Sequence, residues 1–366
     1  MLELIIKGVP VQRGSQSDQI SYIASLTFSD IARLLIDGRL YVPNETNLPD
    51  LAQRKLNPVR VKAIAQYILE TYPEGSTFFP PICLNVHPAP IYKDGMIALP
   101  YHEVTMRLTD GQHRCCAIRK AIEQVQSEQA QELAIVSKLE IGVLLYAGLP
   151  LELERQAFRD QNLLAQRPGV SLSHLFDGRS PSVQIAKELM QRVPQFVNNV
   201  EVIENGLGAH NPKLLTLSTL VSATKSMFPN LKSKKNIDQL TNWAEAFWVA
   251  VANVLPKSPW TTKSKDDRDR QRQESLVVSA VTFQALGMLA HDLYVEEVSE
   301  EHLRDWVLKL KKVDWRRENK FWIERGVTQM GAQGNPIISN TRSTIDACHR
   351  VLREFTGIAD QMGTSP

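Results

Sequence analysis

The stretch over residues 108–118 constrains the fold of this chain most, because it predicts a strand, a turn and a helix in immediate succession. Its sequence is Leu-Thr-Asp-Gly-Gln-His-Arg-Cys-Cys-Ala-Ile. Residues 105–108 have the pattern of a strand, and Gly111 predicts a tight turn because glycine accepts a positive φ and a close backbone approach. Apolar residues at helical spacing follow: Ala117, Ile118, Ala121, Ile122 and Val125.

The polar side chains around Gly111 suit an anion site. The N-terminus of a helix presents free backbone N–H groups and the positive end of the helix dipole, which favour phosphate. Arg114 could bind a phosphate through its planar fork, Asp110 could hold a metal ion or a water, and His113 could move a proton. The same residues are also typical of an ordinary Asp-capped helix start with solvated side chains. Both interpretations stay open at this point.

A second helix start carries basic residues. Asn57 is a good N-cap, and Pro58 occupies the first helical position, where its missing N–H costs nothing. Arg54 and Arg60 flank this start. They form either a basic surface cap or a second anion-binding edge that faces the Gly111 turn.

The remaining pattern predicts an α+β (or α/β) fold. Strands are predicted at 4–9, 20–26, 82–86, 105–108 and 139–145, with a hairpin over 92–99 and helices at 28–36, 58–72 and 112–134. This favours a domain with a small mixed sheet. Helical spacing then dominates, at 213–228, 237–254, 274–293, 300–313 and 341–355. Trp243, Phe247 and Trp248 are predicted to be core residues.

One segment of the helical region has no such periodicity. Residues 257–273 mix lysines and arginines with aspartates, which predicts a mobile solvated loop. Such a loop could contact a DNA backbone, although its acidic residues cancel much of the field.

Composition narrows the class of protein. The chain has 366 residues, enough for two domains, and a net charge of +2, so any basic face is local. Its four cysteines fit no zinc or disulfide framework, which favours buried thiols in a reducing compartment. We find no signal-peptide pattern and no apolar run of membrane-spanning length, and we expect a cytoplasmic protein without a membrane partner.

The string Asp110–Arg114 is the motif that names the DGQHR-domain family, and the chain resembles the DndB-like members of that family from bacterial DNA phosphorothioation (DNA sulfur modification) clusters. Three further blocks look similar: residues 54–69 around Asn57-Pro58, residues 158–177 with Asn162, Arg167 and Ser171, and residues 213–218. The resemblance is strongest from about residue 50 to residue 225.

The resemblance implies an N-terminal domain over residues 1–178 related to the ParB/sulfiredoxin nucleotide-binding fold, followed by a helical domain over residues 179–366. It implies a transcriptional repressor of the modification cluster. The expected partners are promoter DNA and other DNA-modification proteins, with a homo-oligomer as a further option. In sulfiredoxins a reactive cysteine occupies the position of Gln112, so thiolate chemistry is not expected here.

Together with the helix-start geometry, the resemblance predicts ATP or another nucleoside triphosphate as ligand, with Mg²⁺ as a candidate metal. Asp110 and His113 are the candidate catalytic residues, and Asp110 is also the candidate metal ligand. The candidate nucleotide-binding residues are Gly111, Gln112, Arg114, Arg54, Asn57, Arg60, Asn162 and Arg167. Asn162 and Arg167 either return towards this site or belong to a helix end and a Pro-terminated loop.

Several functions are compatible with these residues. The first is a DNA-binding regulator whose Gly111 site binds nucleotide, and the second is a nucleoside triphosphatase. A DGQHR protein of a deazaguanine DNA-modification system, a ParB-like nuclease and a non-catalytic scaffold are weaker alternatives.

Overall fold

The computed structural model describes residues 3–15, 20–41, 56–126, 130–164, 169–209, 211–231, 236–262, 264–331 and 334–358. The chain divides into two compact units, residues 1–166 and residues 167–366. The sequence placed its boundary after residue 178. Residues 170–176 fall in the second unit, where the Ser171 hydroxyl donates to the Ser218 hydroxyl at 3.3 Å.

The first unit is an α+β structure. Its strands are β1 Glu3–Gln12, β2 Ile20–Thr27, β3 Leu40–Tyr41, β4 Ile82–His87, β5 Ile91–Lys93, β6 Met96–Pro100, β7 Thr105–Asp110 and β8 Glu140–Ala147. Its helices are α1 Phe28–Ile36, α2 Pro58–Thr71, α3 Gln112–Gln126, α4 Ala130–Val136 and α5 Leu151–Leu164. Within the described residues the strands form one eight-stranded sheet in the order β3-β7-β4-β8-β2-β1-β6-β5.

The sheet is mixed, as predicted. Strands β3 and β7 pair in parallel, as do β4 and β8, whereas the other neighbours are antiparallel. Alternate residues of the strands, such as Leu84 and Leu108, are buried in one core with Ile118 of α3. Helix α3 packs against α1 and α2. The start of α3 follows directly after the end of β7.

Two helices of the first unit begin with capping hydrogen bonds, and the cap at Asn57 was predicted from the sequence. Thr27 and Asp30 form a capping box at α1. The Asn57 side chain accepts from the backbone N–H groups of Val59 and Arg60, with Pro58 at the first position of α2. These caps satisfy N–H groups that a helix leaves without an internal partner.

The second unit is mostly helical, as predicted. Its helices are α6 Val170–Phe176, α7 Pro181–Arg192, α8 Leu217–Met227, α9 Ile237–Val254, α10 Ser258–Thr261, α11 Lys265–Glu274, α12 Ala280–Val295, α13 Leu303–Val307, α14 Lys320–Glu324 and α15 Arg342–Thr356. Its short strands are β9 Val200–Glu201, β10 Leu215–Thr216, β11 Gln329–Met330 and β12 Pro336–Ile337. All six tryptophans of the chain belong to this unit, and Trp243 and Trp248 are buried in its core with Phe247, as predicted.

The prediction of a mobile loop over residues 257–273 is wrong. Most of this segment is helical, in α10 and α11. Arg268 donates to the Asn199 side chain at 2.7 Å, and Arg272 donates to backbone carbonyl groups of residues 208–213. These two arginines bind the protein itself, so high charge here does not mean that the side chains face water. In the part of the chain that the structure describes, no helix is long and apolar enough to cross a membrane.

Candidate functional site

The Gly111 turn joins β7 to α3 in a conformation that requires glycine. Gly111 has φ +104°, and a Cβ atom at this position would lie 2.5 Å from Cγ2 of Ile82. The backbone N–H of Cys115 donates to the carbonyl oxygen of Gly111 at 3.0 Å, which is the first hydrogen bond of the helix. The first N–H groups of α3 therefore lie at a buried turn where any side chain would clash with Ile82 and adopt a strained backbone conformation.

Arg114 folds back over this turn. Its Nη2 lies 2.5 Å from Oδ2 of Asp110, and its side chain is 13% exposed against 45% for the aspartate. The same nitrogen lies 3.1 Å from the place that a Cβ of Gly111 would occupy. The Nε of Arg114 is buried and has no hydrogen-bond partner among the described residues. The guanidinium is thus held at the turn by one carboxylate and retains a donor with no protein acceptor.

His113 connects this turn to the start of α2. The backbone N–H of Asn57 donates to Nε2 of His113 at 2.9 Å. The pKa of His113 is lowered, first by burial and then by the positive charge of Arg60, while Asp110 acts in the opposite direction. Nε2 therefore accepts as a neutral imidazole, and the N-termini of α2 and α3 lie side by side. Of the two interpretations of the basic α2 start, this contact favours an edge that faces the Gly111 turn.

The remaining residues of the first turn of α3 are buried. Gln112 is almost fully buried, and Cys115 is completely buried. Burial raises the pKa of the Cys115 thiol far above its ordinary value. Because only a thiolate is an effective nucleophile, Cys115 does not replace the reactive cysteine that sulfiredoxins carry at the turn.

Comparison with known protein families identifies the family of this chain. A family model described as DndB, DNA-sulfur modification-associated, matches residues 9–359. The chain belongs to the DndB family. The match begins in β1 and extends past the end of α15, so it includes residues of both units. No curated protein and no solved structure matches the chain. Membership of the DndB family links the chain to DNA sulfur modification.

Among the described residues, six of the predicted site residues of this DndB-family chain lie at or beside the turn. Asp110, Gly111, Gln112, His113 and Arg114 form the turn, and Asn57 is bonded to it. Arg54 and Arg167 lie outside the described residues, and the side chain of Asn162 on α5 is also outside them. The assignment of these three residues to the site stays a prediction.

The turn does not suit Mg²⁺ well. Among the described residues, no group of three or more histidine, cysteine, aspartate or glutamate side chains is placed to hold a metal ion. Asp110 is already paired with the guanidinium of Arg114, which repels a cation. The role of Asp110 as a metal ligand therefore stays a prediction.

A buried polar cluster on the other face of the sheet was not expected from the sequence. Glu154 of α5 is 1% exposed, and its Oε2 accepts from Nδ2 of Asn85 at 2.8 Å. Nη1 of Arg107 lies 3.6 Å from the same oxygen. Asn85 also bonds the backbone of Leu149 through both ends of its amide. The signal in the sequence was Asn85 itself, a polar residue inside an otherwise apolar strand. The cluster fixes β4 and β7, the two strands that meet at the Gly111 turn, to α5.

Proposed function

We propose that this chain regulates a DNA-sulfur modification cluster as a DNA-binding protein, and that the Gly111 turn binds a nucleoside triphosphate such as ATP. The observation that carries the nucleotide site is the hydrogen bond between Asn57 and His113, because it places two helix N-termini beside each other. Arg60 and Arg114 add two guanidinium groups to the same place.

The chemistry of the turn suits a polyphosphate. An anion at a helix N-terminus gains roughly 0.3–1 kcal/mol from each dipole, and more when it is partly buried. A phosphate group could replace the carboxylate of Asp110 on Arg114, because a carboxylate and a phosphate are both anions that can accept two parallel hydrogen bonds from a guanidinium. The buried Nε–H of Arg114 would then also gain an acceptor.

Calorimetric titration with ATP tests the nucleotide site. We expect Arg114→Ala to weaken ATP binding at least about tenfold, since charge-assisted hydrogen bonds contribute about 1.5–3 kcal/mol. Arg119→Ala is the matched control, because Arg119 lies on the same helix, is 45% exposed and pairs with Glu123. Equal ATP binding by the wild type and Arg114→Ala would reject the Gly111 turn as the nucleotide site.

Gel-shift experiments test DNA binding. We expect the full chain to shift promoter DNA of its modification cluster more strongly than a scrambled duplex, and to lose affinity as salt rises. We also expect ATP to change the promoter affinity of the wild type but not that of Arg114→Ala. Equal shifts with promoter and scrambled duplex would contradict a regulatory role.

ATP hydrolysis is a second candidate activity, favoured by the exposed carboxylate of Asp110 next to the neutral imidazole of His113. Nε2 of His113 is used by Asn57, so Nδ1 is the nitrogen left to orient a water. Phosphate release by the wild type should fall in Asp110→Ala and in His113→Ala. Release that is unchanged in both variants would exclude this mechanism.

A further inference from the structure

The second unit contains a cavity that the Gly111 site does not explain. Its volume is about 660 Å³, which is within the range of small-molecule sites. The residues that line it are Gln273, Glu274, Arg316, Arg317, Glu318, Asn335, Pro336 and Ile337. Three chain segments thus form its walls: the end of α11, residues 316–318, and strand β12 with the residue before it.

Backbone hydrogen bonds fix two of these walls to each other. The N–H of Arg317 donates to the carbonyl of Glu274 at 2.8 Å, and the N–H of Leu276 donates to the carbonyl of Trp315 at 2.8 Å. Ser275 and Arg316 form an antiparallel bridge between these bonds. The third wall is held by the pairing of β12 with β11. Two of the three walls are therefore fixed to each other, and the third is part of a two-stranded pair.

Arg317 has no carboxylate at ion-pair distance among the residues that the structure describes. Arg317 is partly buried, and its Nε donates to the carbonyl of Ser275 at 3.3 Å. Burial lowers the pKa of its guanidinium, and in the described part of the chain no carboxylate lies within ion-pair distance of it. The neighbouring Arg316, in contrast, is exposed and pairs with Asp314 at 2.5 Å. Removing a charge from water without a partner is unfavourable, so Arg317 is the place for an anion from outside.

The other lining side chains define what that anion must carry. Glu274 and Glu318 provide carboxylates, and Gln273 and Asn335 provide amides. The carboxylates repel bare phosphate but accept hydrogen bonds from amino and hydroxyl groups. Pro336 and Ile337 add an apolar surface. A suitable ligand therefore combines one anionic group, several N–H or O–H donors and an apolar part.

We propose that this cavity is a second ligand site and that it binds a nucleoside monophosphate, with the phosphate on Arg317 and the sugar and base donors towards Glu274 and Glu318. The site is independent of the Gly111 turn, because every residue that forms it belongs to the second unit. It does not depend on whether ATP binds the first unit.

Titration of the full chain with AMP, GMP, CMP and UMP, one at a time, tests this site. We expect at least one of them to bind, and Arg317→Met to weaken that binding at least tenfold. Arg325→Met is the matched control, because Arg325 is exposed, pairs with Glu354 and is not among the residues that line the cavity. Inorganic phosphate and the corresponding nucleoside should each bind at least tenfold more weakly than the monophosphate. Absence of binding by all four nucleotides, or equal binding by Arg317→Met, would overturn the proposal.

Two further measurements test whether Arg317 has only a structural role and whether the monophosphate binds at the Gly111 turn instead. Without ligand, Arg317→Met should melt at the same temperature as the wild type or higher, because it removes a partly buried charge with no carboxylate partner among the described residues and keeps the aliphatic part of the side chain. A lower melting temperature would assign Arg317 a structural role and overturn the proposal. Arg114→Ala should leave monophosphate binding unchanged. Weaker monophosphate binding by that variant would indicate that the ligand binds in the first unit, and this result would also overturn the proposal.

Discussion

At the scale of single residues, the turn between β7 and α3 depends on the absence of a side chain at Gly111. Alanine there would have to adopt φ near +104° and would approach Ile82 to 2.5 Å. We expect Gly111→Ala to lower the free energy of unfolding by at least about 1–3 kcal/mol, since such backbone strain alone costs that much. Urea unfolding of the full chain measures this loss.

The control for this substitution is Gly142→Ala in β8. A Cβ at Gly142 would lie 3.5 Å from Pro81, which is an ordinary contact, and its φ is not in the left-handed region. We expect little change in the unfolding free energy. A similar loss in both variants would show that the strain at Gly111 is not the cause.

His113 gives the stability of the first unit a defined pH dependence. Its pKa is lower in the folded chain than the ordinary value of 6.5, because burial and Arg60 disfavour the charged form. The imidazole therefore binds a proton more tightly in the unfolded chain than in the folded chain. The contribution of neutral His113 to the free energy of unfolding is fully present above pH 6.5 and is lost as the pH falls through the pKa of the folded state. Between pH 7.5 and 5.5 we expect the wild type to lose more stability than His113→Gln, whose amide oxygen can accept from Asn57 without titrating. Parallel pH profiles of the two proteins would contradict this assignment.

Features of single residues could be predicted from the sequence where they depend only on neighbouring residues in the chain. Asn57 as a cap, Pro58 at the first helical position and the glycine at the turn follow from φ preferences and short-range hydrogen bonds. The bond between Asn57 and His113 joins residues 56 positions apart, so the sequence left its existence open. The orientation of Arg114 also depends on contact with Asp110 and on the packing of β4, which spacing alone does not give.

At the scale of elements, α11 shows why charge composition misled the sequence prediction. Mixed charges favour a solvated loop only when the side chains face water. Ser264 caps the helix, and Arg272 is paired with Asp269 one turn before it. The arginine side chain is 10% exposed, because it lies against the backbone of residues 208–213. No local pattern identifies these distant carbonyl groups.

We expect Arg272→Ala to destabilise the second unit by about 2–3 kcal/mol, because it leaves several carbonyl oxygens without their charged donor. Arg270→Ala is the control on the same helix, since Arg270 is 61% exposed and pairs with Asp267 on the surface. It should change the unfolding free energy by less than about 0.5 kcal/mol. Equal losses in the two variants, measured by denaturant unfolding, would mean that the contacts of Arg272 contribute nothing specific.

At the scale of the whole molecule, the two units have separate hydrophobic cores. One core consists of residues between Leu4 and Leu145, and the other of residues between Val183 and Leu352. We expect fragments 1–166 and 167–366, expressed separately, each to unfold in a cooperative transition. A fragment with secondary structure but no cooperative transition would show that its core is insufficient by itself.

The sequence predicted the order of the two architectures but not the topology of the sheet. Periodicity distinguishes an α+β region from a helical one because each pattern is local. The position of β8 between β4 and β2 depends on pairing across more than fifty residues of chain, and hydrophobic alternation fits several such pairings equally well.

The confinement of tryptophan to the second unit has a practical consequence. Indole emission from this protein originates entirely from residues 243–322, and Trp315 and Trp322 lie near each other with ring centroids 5.9 Å apart. The first unit contains tyrosines, such as Tyr22 and Tyr101, but no tryptophan. Tryptophan emission, excited at the red edge of the absorption band, therefore reports the unfolding of the second unit only. Circular dichroism is needed to follow the unfolding of the first unit.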